Sequence, residues 1–228
     1  MPFEAITKEE TKKHYNALEE FTNKSDPYYF KRRAEHLLQF LSKMPKSSKI
    51  LNLGCGDGRF TRLIKDCGFR DIVDADISSS LLKSDTCRKR VLGDAENISF
   101  KKEMFDAIIM TDVIEHIENR NRAINELQRV LKKNGELFIT YPNSLWVPAL
   151  NALGKIGIKV DAKDGRIPTK QFEKEIEPYF KISSFTTIII MSKLPSKILT
   201  AFEKIEVNIP KKIINRLGLM HVYIIKKR

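Results

Sequence analysis

The chain of 228 residues is 42% hydrophobic and 31% charged, with a formal net charge of +12, the balance of a soluble globular protein with one domain and room for a small accessory subdomain. It holds no run of about 18 apolar residues, which excludes a transmembrane helix, and its first twenty residues lack the apolar stretch of a signal peptide. Cys55, Cys67 and Cys87 are odd in number and lack CxxC spacing, which excludes a disulfide or zinc framework and points to reduced thiols in a cytoplasm.

Residues 8–23 and 28–43 carry helical patterns. Phe30, Leu37, Leu38, Phe40 and Leu41 give the second an apolar face, and Asp26 before Pro27 predicts its start. Strands and helices then alternate. KILNL (49–53) reads as a strand and RFTRLIKDCG (59–68) as a helix closed by Gly68. DIVDAD (71–76) is a strand, a helix follows Ser78–Ser80, and KRVLGD (89–94) is a strand. FDAIIMT (105–111) is a strand, NRNRAINELQRVLKKNG (119–135) a helix ending at Gly135, and ELFITYP (136–142) a strand. Five strands alternating with helices predict a parallel sheet covered on both faces. The tail changes rhythm: a short helix in NSLWVPALNALG (143–154), a helix in TKQFEKEIEPYF (169–180) and a long strand in KISSFTTIIIM (181–191). Short helices over 195–206 and 210–217 follow, then a closing strand MHVYIIKK (220–227). The last strands predict a sheet finished by an antiparallel edge.

Charge is unevenly spread. Residues 50–150 carry fifteen Lys/Arg and fifteen Asp/Glu, whereas 151–228 carry sixteen against seven. The basic tail fits an acidic partner such as nucleic acid, an anionic headgroup or a phosphorylated substrate, or else a lysine-rich solvated surface.

In ILNLGCGDGRF (50–60), Gly54, Gly56 and Gly58 stand at alternate positions after a strand. Bare backbone there means that the turn needs positive φ or that a ligand comes close. A dinucleotide fingerprint starting at Gly54 needs glycine at 59, where Arg59 stands, and no GK[ST] follows for a phosphate loop. The remaining GxGxG suits a ligand with a carboxylate and a ribose. Asp76 closes the second strand, where a carboxylate can accept from two ribose hydroxyls, and Asp94 closes the third, where a carboxylate beside a backbone amide can read adenine. As plain structural residues, Asp76 would cap the helix at the serines, Asp94 would make a turn before Asn97, Cys55 would pack, and Asp57 would cap the next helix.

These stretches together resemble a class I S-adenosylmethionine-dependent methyltransferase of the small-molecule group. The residues that carry the likeness are ILNLGCGDG, VDADIS, GDAENISF, FDAIIMTDVIEHI and ELQRVLKKNGELFITYPN, in register across residues 50–142. The resemblance implies an α/β fold with a doubly wound, Rossmann-like, seven-stranded sheet, mostly parallel with an antiparallel last strand and helices on both faces. It implies S-adenosylmethionine as cofactor and S-adenosylhomocysteine as product. Gly54, Gly56 and Gly58 would face the methionine end, with Cys55 beside them. Asp76 with Ile77 would hold the ribose, Asp94 and Ala95 the adenine, and Thr111 would line the sulfonium pocket. Where the family usually has Asp or Glu, this chain has Asn52, which removes a charge near the methionine ammonium.

Methyl transfer from a sulfonium is an in-line displacement that alignment largely drives, and a base is needed only where the acceptor loses a proton. His116, in DVIEH, is the candidate base, or else a histidine packed at a helix start. Asp112, Glu115 and His116 also have metal-ligand spacing, resembling the small-RNA 3′-end methyltransferases, but the one later histidine is His221, so no metal is expected.

The domain plan is 1–46 as N-terminal helices capping the substrate side, 47–143 as the cofactor-binding core, and 144–228 as a substrate-specificity segment completing the sheet. Apolar stripes at Leu145, Trp146, Ala149, Leu150 and Leu153, and at Ile198, Leu199, Phe202 and Ile205, would be core or, with Tyr141, line an acceptor pocket. The lead reading is O-methylation of a small or lipid-like acceptor by a cytoplasmic protein able to rest on an anionic membrane surface. An RNA or protein methyltransferase landing on the basic tail, with nucleic acid the less favoured partner, and a non-catalytic cofactor-binding module are the alternatives. Oligomeric state stays open.

Overall fold

The computed structural model describes residues 27–146, 167–188, 210, 213, 215 and 217–228. The helices expected over 8–23 and 195–206, and the stripes at 149–153 and 198–205, lie outside the described residues.

In chain order the elements are α1 (Pro27–Leu41), β1 (Ile50–Leu53), α2 (Arg59–Asp66), β2 (Ile72–Asp76), α3 (Ser79–Ser84), β3 (Arg90–Leu92) and β4 (Phe105–Thr111). There follow a 3-10 turn (Ile114–His116), α4 (Arg120–Val130), β5 (Leu131–Pro142), a second 3-10 turn (Ser144–Trp146), α5 (Thr169–Ile176), β6 (Phe180–Ile188) and β7 (Met220–Lys227). The seven strands form one sheet in the order β3-β2-β1-β4-β5-β7-β6. The first five are parallel, and β7 runs antiparallel to both β5 and β6. This is the doubly wound, mostly parallel sheet expected. The antiparallel strand is not its edge, however: β7 lies inside, and β6 forms the margin.

Side chains alternating along each strand feed two cores. Leu51, Ile108, Leu137 and Tyr223 face α4 and α5, packing with Leu127, Val130 and Phe172. Ile50, Ile109, Phe138 and Val222 face α1 and α2, packing with Leu37, Phe40 and Ile64. Helices therefore cover both faces. Arg120 on α4 donates twice to the Glu175 carboxylate on α5, each bond 2.9 Å, tying the two helices of one face together.

Helix α4 stops at Val130, five residues before the expected Gly135. Leu131 already pairs with Phe105 of β4, and the register shifts before Ala107 meets Glu136. The left-handed residue of this irregular stretch is Asn134, at φ 63°. Gly135 serves space instead, since a Cβ there would lie 2.7 Å from Leu131 Cγ. Among the described residues no helix is long and apolar enough to cross a membrane.

Candidate functional site

The parallel strands end on a common side, where open α/β sheets place their ligand crevice. β1 leads into the glycine loop, and Gly54, Gly56 and Gly58 have φ of 74°, 57° and 74°, values that side chains other than glycine's rarely adopt. Two of the three also admit a close neighbour. A Cβ on Gly54 would sit 2.1 Å from Val113 Cγ2, and one on Gly58 would sit 2.1 Å from Asp85 Oδ1. Around the Cβ position of Gly56 there is nothing within 4 Å. The positive φ expected of the loop is present at all three glycines, and the middle one also leaves open space beside it.

That space is a cavity of about 350 Å³. Its walls include Gly54, Cys55, Gly56, Asp76 and Ile77, and further round Asp94, Ala95, Thr111 and His116. Nine of the residues singled out from sequence thus line one cleft, whereas Gly58, expected at the methionine end with them, does not. The Asp76 carboxylate accepts from the backbone N–H of Gly56 and of Ser78, each at 2.8 Å, which fixes loop and strand end together. Burial pushes its pKa up, and those N–H donors oppose the rise. Asp94 accepts from the Glu96 N–H at 2.9 Å, the turn geometry expected of a structural residue, while also facing the cleft.

Beneath the loop lies a buried polar chain. Asn52 Nδ2 donates to Thr61 Oγ1 (2.8 Å), and that hydroxyl donates to Asp74 Oδ1 (2.7 Å). Asn52 is 1% exposed and stands behind the loop, not on the cleft wall. The acid nearby belongs to the adjoining strand, since Asn52 is in register with Asp74. Burial raises Asp74 to about 7, and neighbouring Asp85 adds to the rise. Burial, together with Asp74, Asp76 and Asp85, likewise pushes the Cys55 thiol up, so Cys55 packs as a neutral thiol.

The domain plan sets the N-terminal helices over the substrate side but names no residue of α1 as a wall. Tyr29, Phe30 and Arg33 line the cleft, with the Phe30 and Phe60 rings 4.8 Å apart and the Arg33 guanidinium 4.3 Å over the Tyr29 ring. Arg33 donates to the Asp112 carboxylate, which also accepts from Thr140 Oγ1 at 3.0 Å. Asp112 has φ 56°, so a non-glycine residue is held in a strained region by partners on both sides. The signal available in the sequence was aromatic residues on the apolar helix beginning at Pro27. Conversely, Tyr141 does not line the cleft: it is 0% exposed and packs in the core edge-on against Phe172. Trp146 instead donates its indole N–H to the Leu217 carbonyl, and Leu145 is exposed.

The metal-ligand spacing in DVIEH is not assembled into a cluster. Asp112 is taken by Arg33 and Thr140, and His221 is 1% exposed with Nε2 3.0 Å from Thr169 Oγ1. The described His, Cys, Asp and Glu side chains close enough to share an ion are Cys55, Asp74 and Asp85.

A doubly wound sheet with a glycine loop after β1 and acidic residues closing β2 and following β3 has the layout of class I methyltransferases. Residues 51–139 match the family described as Methyltransferase domain, so this segment carries the sequence of such a domain as well as the layout. The tRNA (carboxymethyluridine(34)-5-O)-methyltransferase of Arabidopsis thaliana is 39% identical over 106 residues, covering 44% of this chain and 26% of that protein. The demethylmenaquinone methyltransferase of Thermotoga maritima is 34% identical over 96 residues, covering 40% and 42%. The chain therefore matches less than half the length of either relative. In fold it is similar to the PH0226 protein of Pyrococcus horikoshii, with TM-score 0.67 and 20% identity, over 95% of this chain and 99% of that one.

Proposed function

We propose that this chain transfers a methyl group from S-adenosylmethionine to an acceptor seated against α1, and the observation that carries the reading is the convergence of nine sequence-selected residues, among them Gly54, Gly56, Asp76 and Asp94, on one cleft. The residues fit the cofactor. Gly56 leaves open space where a Cβ would stand, and the walls hold five carboxylates (Asp57, Asp76, Asp94, Glu96, Asp112) against the guanidinium groups of Arg33 and Arg59. A wall with that excess of negative charge suits a ligand bearing a sulfonium and an ammonium. Asp76 keeps acceptor capacity for the ribose hydroxyls beyond its backbone N–H donors. Asp94 and Ala95 take the adenine, Ile77 flanks the ribose, and Thr111 with Gly54 and Cys55 borders the methionine end. Bound there, the cofactor supplies an activated methyl group for in-line displacement. His116, which also lines the cleft, takes the acceptor's proton where one must leave.

Tyr29, Phe30 and Phe60 wall the acceptor side with aromatic rings, which supports a flat or apolar acceptor group and fits O-methylation of a small or lipid-like molecule. An RNA acceptor is the second reading, favoured by the 39% identity to a tRNA methyltransferase. In this plan residues up to 46 cap the acceptor side, 47–143 hold the cofactor, and 144–228 complete the sheet.

The test is incubation with methyl-labelled S-adenosylmethionine and separated small-molecule, lipid, protein and RNA fractions. Label entering one fraction names the acceptor class; label entering none leaves a cofactor-binding module and overturns the transfer reading. Binding is tested separately by calorimetry with S-adenosylhomocysteine. Asp76→Ala removes two charge-assisted hydrogen bonds, a cost of roughly 1.5–3 kcal/mol each, and is expected to weaken binding at least tenfold. Unchanged affinity in that variant sinks the ribose assignment.

A further inference from the structure

Residues 50–150 are neutral by count, with fifteen charges of each sign, but the fold separates those signs. Of the five carboxylates within residues 59–90, Asp74, Asp76 and Asp85 are 0%, 7% and 3% exposed. They point inward, toward the loop and the polar chain beneath it. Of the cations in the same stretch, Arg62, Arg70, Lys83, Arg88, Lys89 and Arg90 are exposed and Lys65 is half-exposed, while Arg59 alone lines the cleft. Asp66 and Asp71 are the remaining acids on that side. A segment that is balanced in sequence therefore presents a positive face.

The face is contiguous. Lys65 on α2 donates to the Thr86 carbonyl (3.3 Å), Arg70 to the Lys65 carbonyl (3.2 Å), and Lys89 pairs with Asp71 (2.7 Å). Arg90 donates to the carbonyls of Leu82 (3.0 Å) and Asp85 (2.5 Å). Carbonyl acceptors hold Lys65, Arg70 and Arg90 in place without cancelling their charge. Chain neighbours of the face reach the cleft, since Leu81 before it and Gly93 after it both line the cavity, while Arg70 and Lys89 stand at the starting ends of β2 and β3.

We infer that this surface, formed by α2, the 83–90 connection and β3, is where an RNA lies while the cleft reaches its acceptor group. Fixed cations in a row suit a phosphate backbone, which is bound by charge and position. A membrane surface is the poorer fit, because a helix resting on lipid exposes an apolar side. Here Phe60 and Ile64 of α2 and Leu81 and Leu82 of α3 are all turned into the protein. The inference deepens the RNA reading of the same cleft and moves the landing surface from the basic tail to the cofactor domain.

The experiment measures binding of bulk tRNA by fluorescence anisotropy across a salt series, using the full chain. Arg70→Glu, Arg88→Glu and Lys89→Glu together are expected to weaken RNA binding at least tenfold and to flatten its salt dependence, since each phosphate contact adds about 0.7–0.9 to the slope. A control triple, Lys170→Glu, Lys174→Glu and Lys181→Glu, changes the net charge equally on the exposed surface of α5 and β6; it is expected to retain affinity within about threefold of the wild type. Calorimetry with S-adenosylhomocysteine checks folding and the cofactor reading independently, because none of the six residues lines the cleft. Equal losses from both triples, or an unchanged RNA affinity in the first, overturn the assigned face. Binding to phosphatidylserine vesicles without binding to tRNA overturns the RNA inference and leaves the cofactor reading standing.

Discussion

Two buried residues oppose one another in their response to pH. Asp74 is raised from 3.8 to about 7, chiefly by burial and then by Asp85. An unfolded aspartate loses its proton first, so the stability that Asp74 contributes is complete below about pH 4 and is lost as pH rises toward 7. Asp76, raised by burial, adds to the same trend. His221 is lowered by burial from 6.5 to about 4. Its contribution is present above 6.5 and is lost as pH falls toward 4, because the unfolded imidazole takes up the proton first. Asp106, Glu126 and Glu175, lowered by their cationic partners, act below their ordinary values of 3.8 to 4.5. Between pH 4.5 and 6.5 the two trends therefore oppose one another, with His36, also lowered by burial, on the side of His221. Asp74→Asn weakens the carboxylate trend, and its denaturation midpoint should fall relative to the wild type's as pH is lowered through that window. His221→Asn weakens the histidine trend, and its midpoint should rise relative to the wild type's. Urea titrations at three pH values check both, and parallel profiles for the two variants would contradict the assignment.

At the scale of elements, the glycine loop separates stability from binding. Gly54→Ala drives a methyl group into Val113, and its melting temperature should fall sharply. Gly56→Ala meets no neighbour and incurs only the left-handed backbone penalty of about 1–2 kcal/mol. It should stay folded but lose affinity for S-adenosylhomocysteine, because its methyl group enters the cleft. Thermal melts and calorimetry on the pair decide it; full affinity in Gly56→Ala would place the ligand elsewhere. This loop was legible because strand, glycine spacing and following helix are all local signals. The same holds for Asp76 and Asp94, each at a strand end marked by its own apolar run. The residues of the α1 wall were not legible, since Tyr29 and Phe30 look like any apolar helix face until tertiary packing sets Phe30 beside Phe60 of α2. The end of α4 was missed because Leu131, Lys132 and Lys133 are good helix formers, and only pairing with distant Phe105 draws Leu131 into the sheet. Asn52 read as a weakened cofactor contact; the fold gives it Thr61 and Asp74 as company instead, a relation that no spacing along the chain encodes.

For the molecule as a whole, β7 is the strand that joins the sheet's two parts. It pairs with β5 from Glu136↔Lys226 to Pro142↔Met220 and with β6 along its other side. A chain ending at residue 219 keeps every residue of the cleft yet leaves β5 with an open edge and β6 without this neighbour. It is expected to lose its cooperative unfolding transition and to aggregate, which sedimentation and calorimetric melts would show; a soluble, two-state fragment would mean that β1–β5 fold alone. The position of β7 also orders events during synthesis. At about 5–20 residues per second, the ribosome takes on the order of 2–8 s to go from Ile188 to Lys227. Throughout that interval the methyl-donor cleft, whose walls end at Ile117, has already been made, while the apolar margin of β5 waits for a partner. The nascent protein thus passes through a stage with its site translated and its sheet unclosed, when early capture of the cofactor and shielding of β5 by a chaperone would each favour the correct insertion of β7.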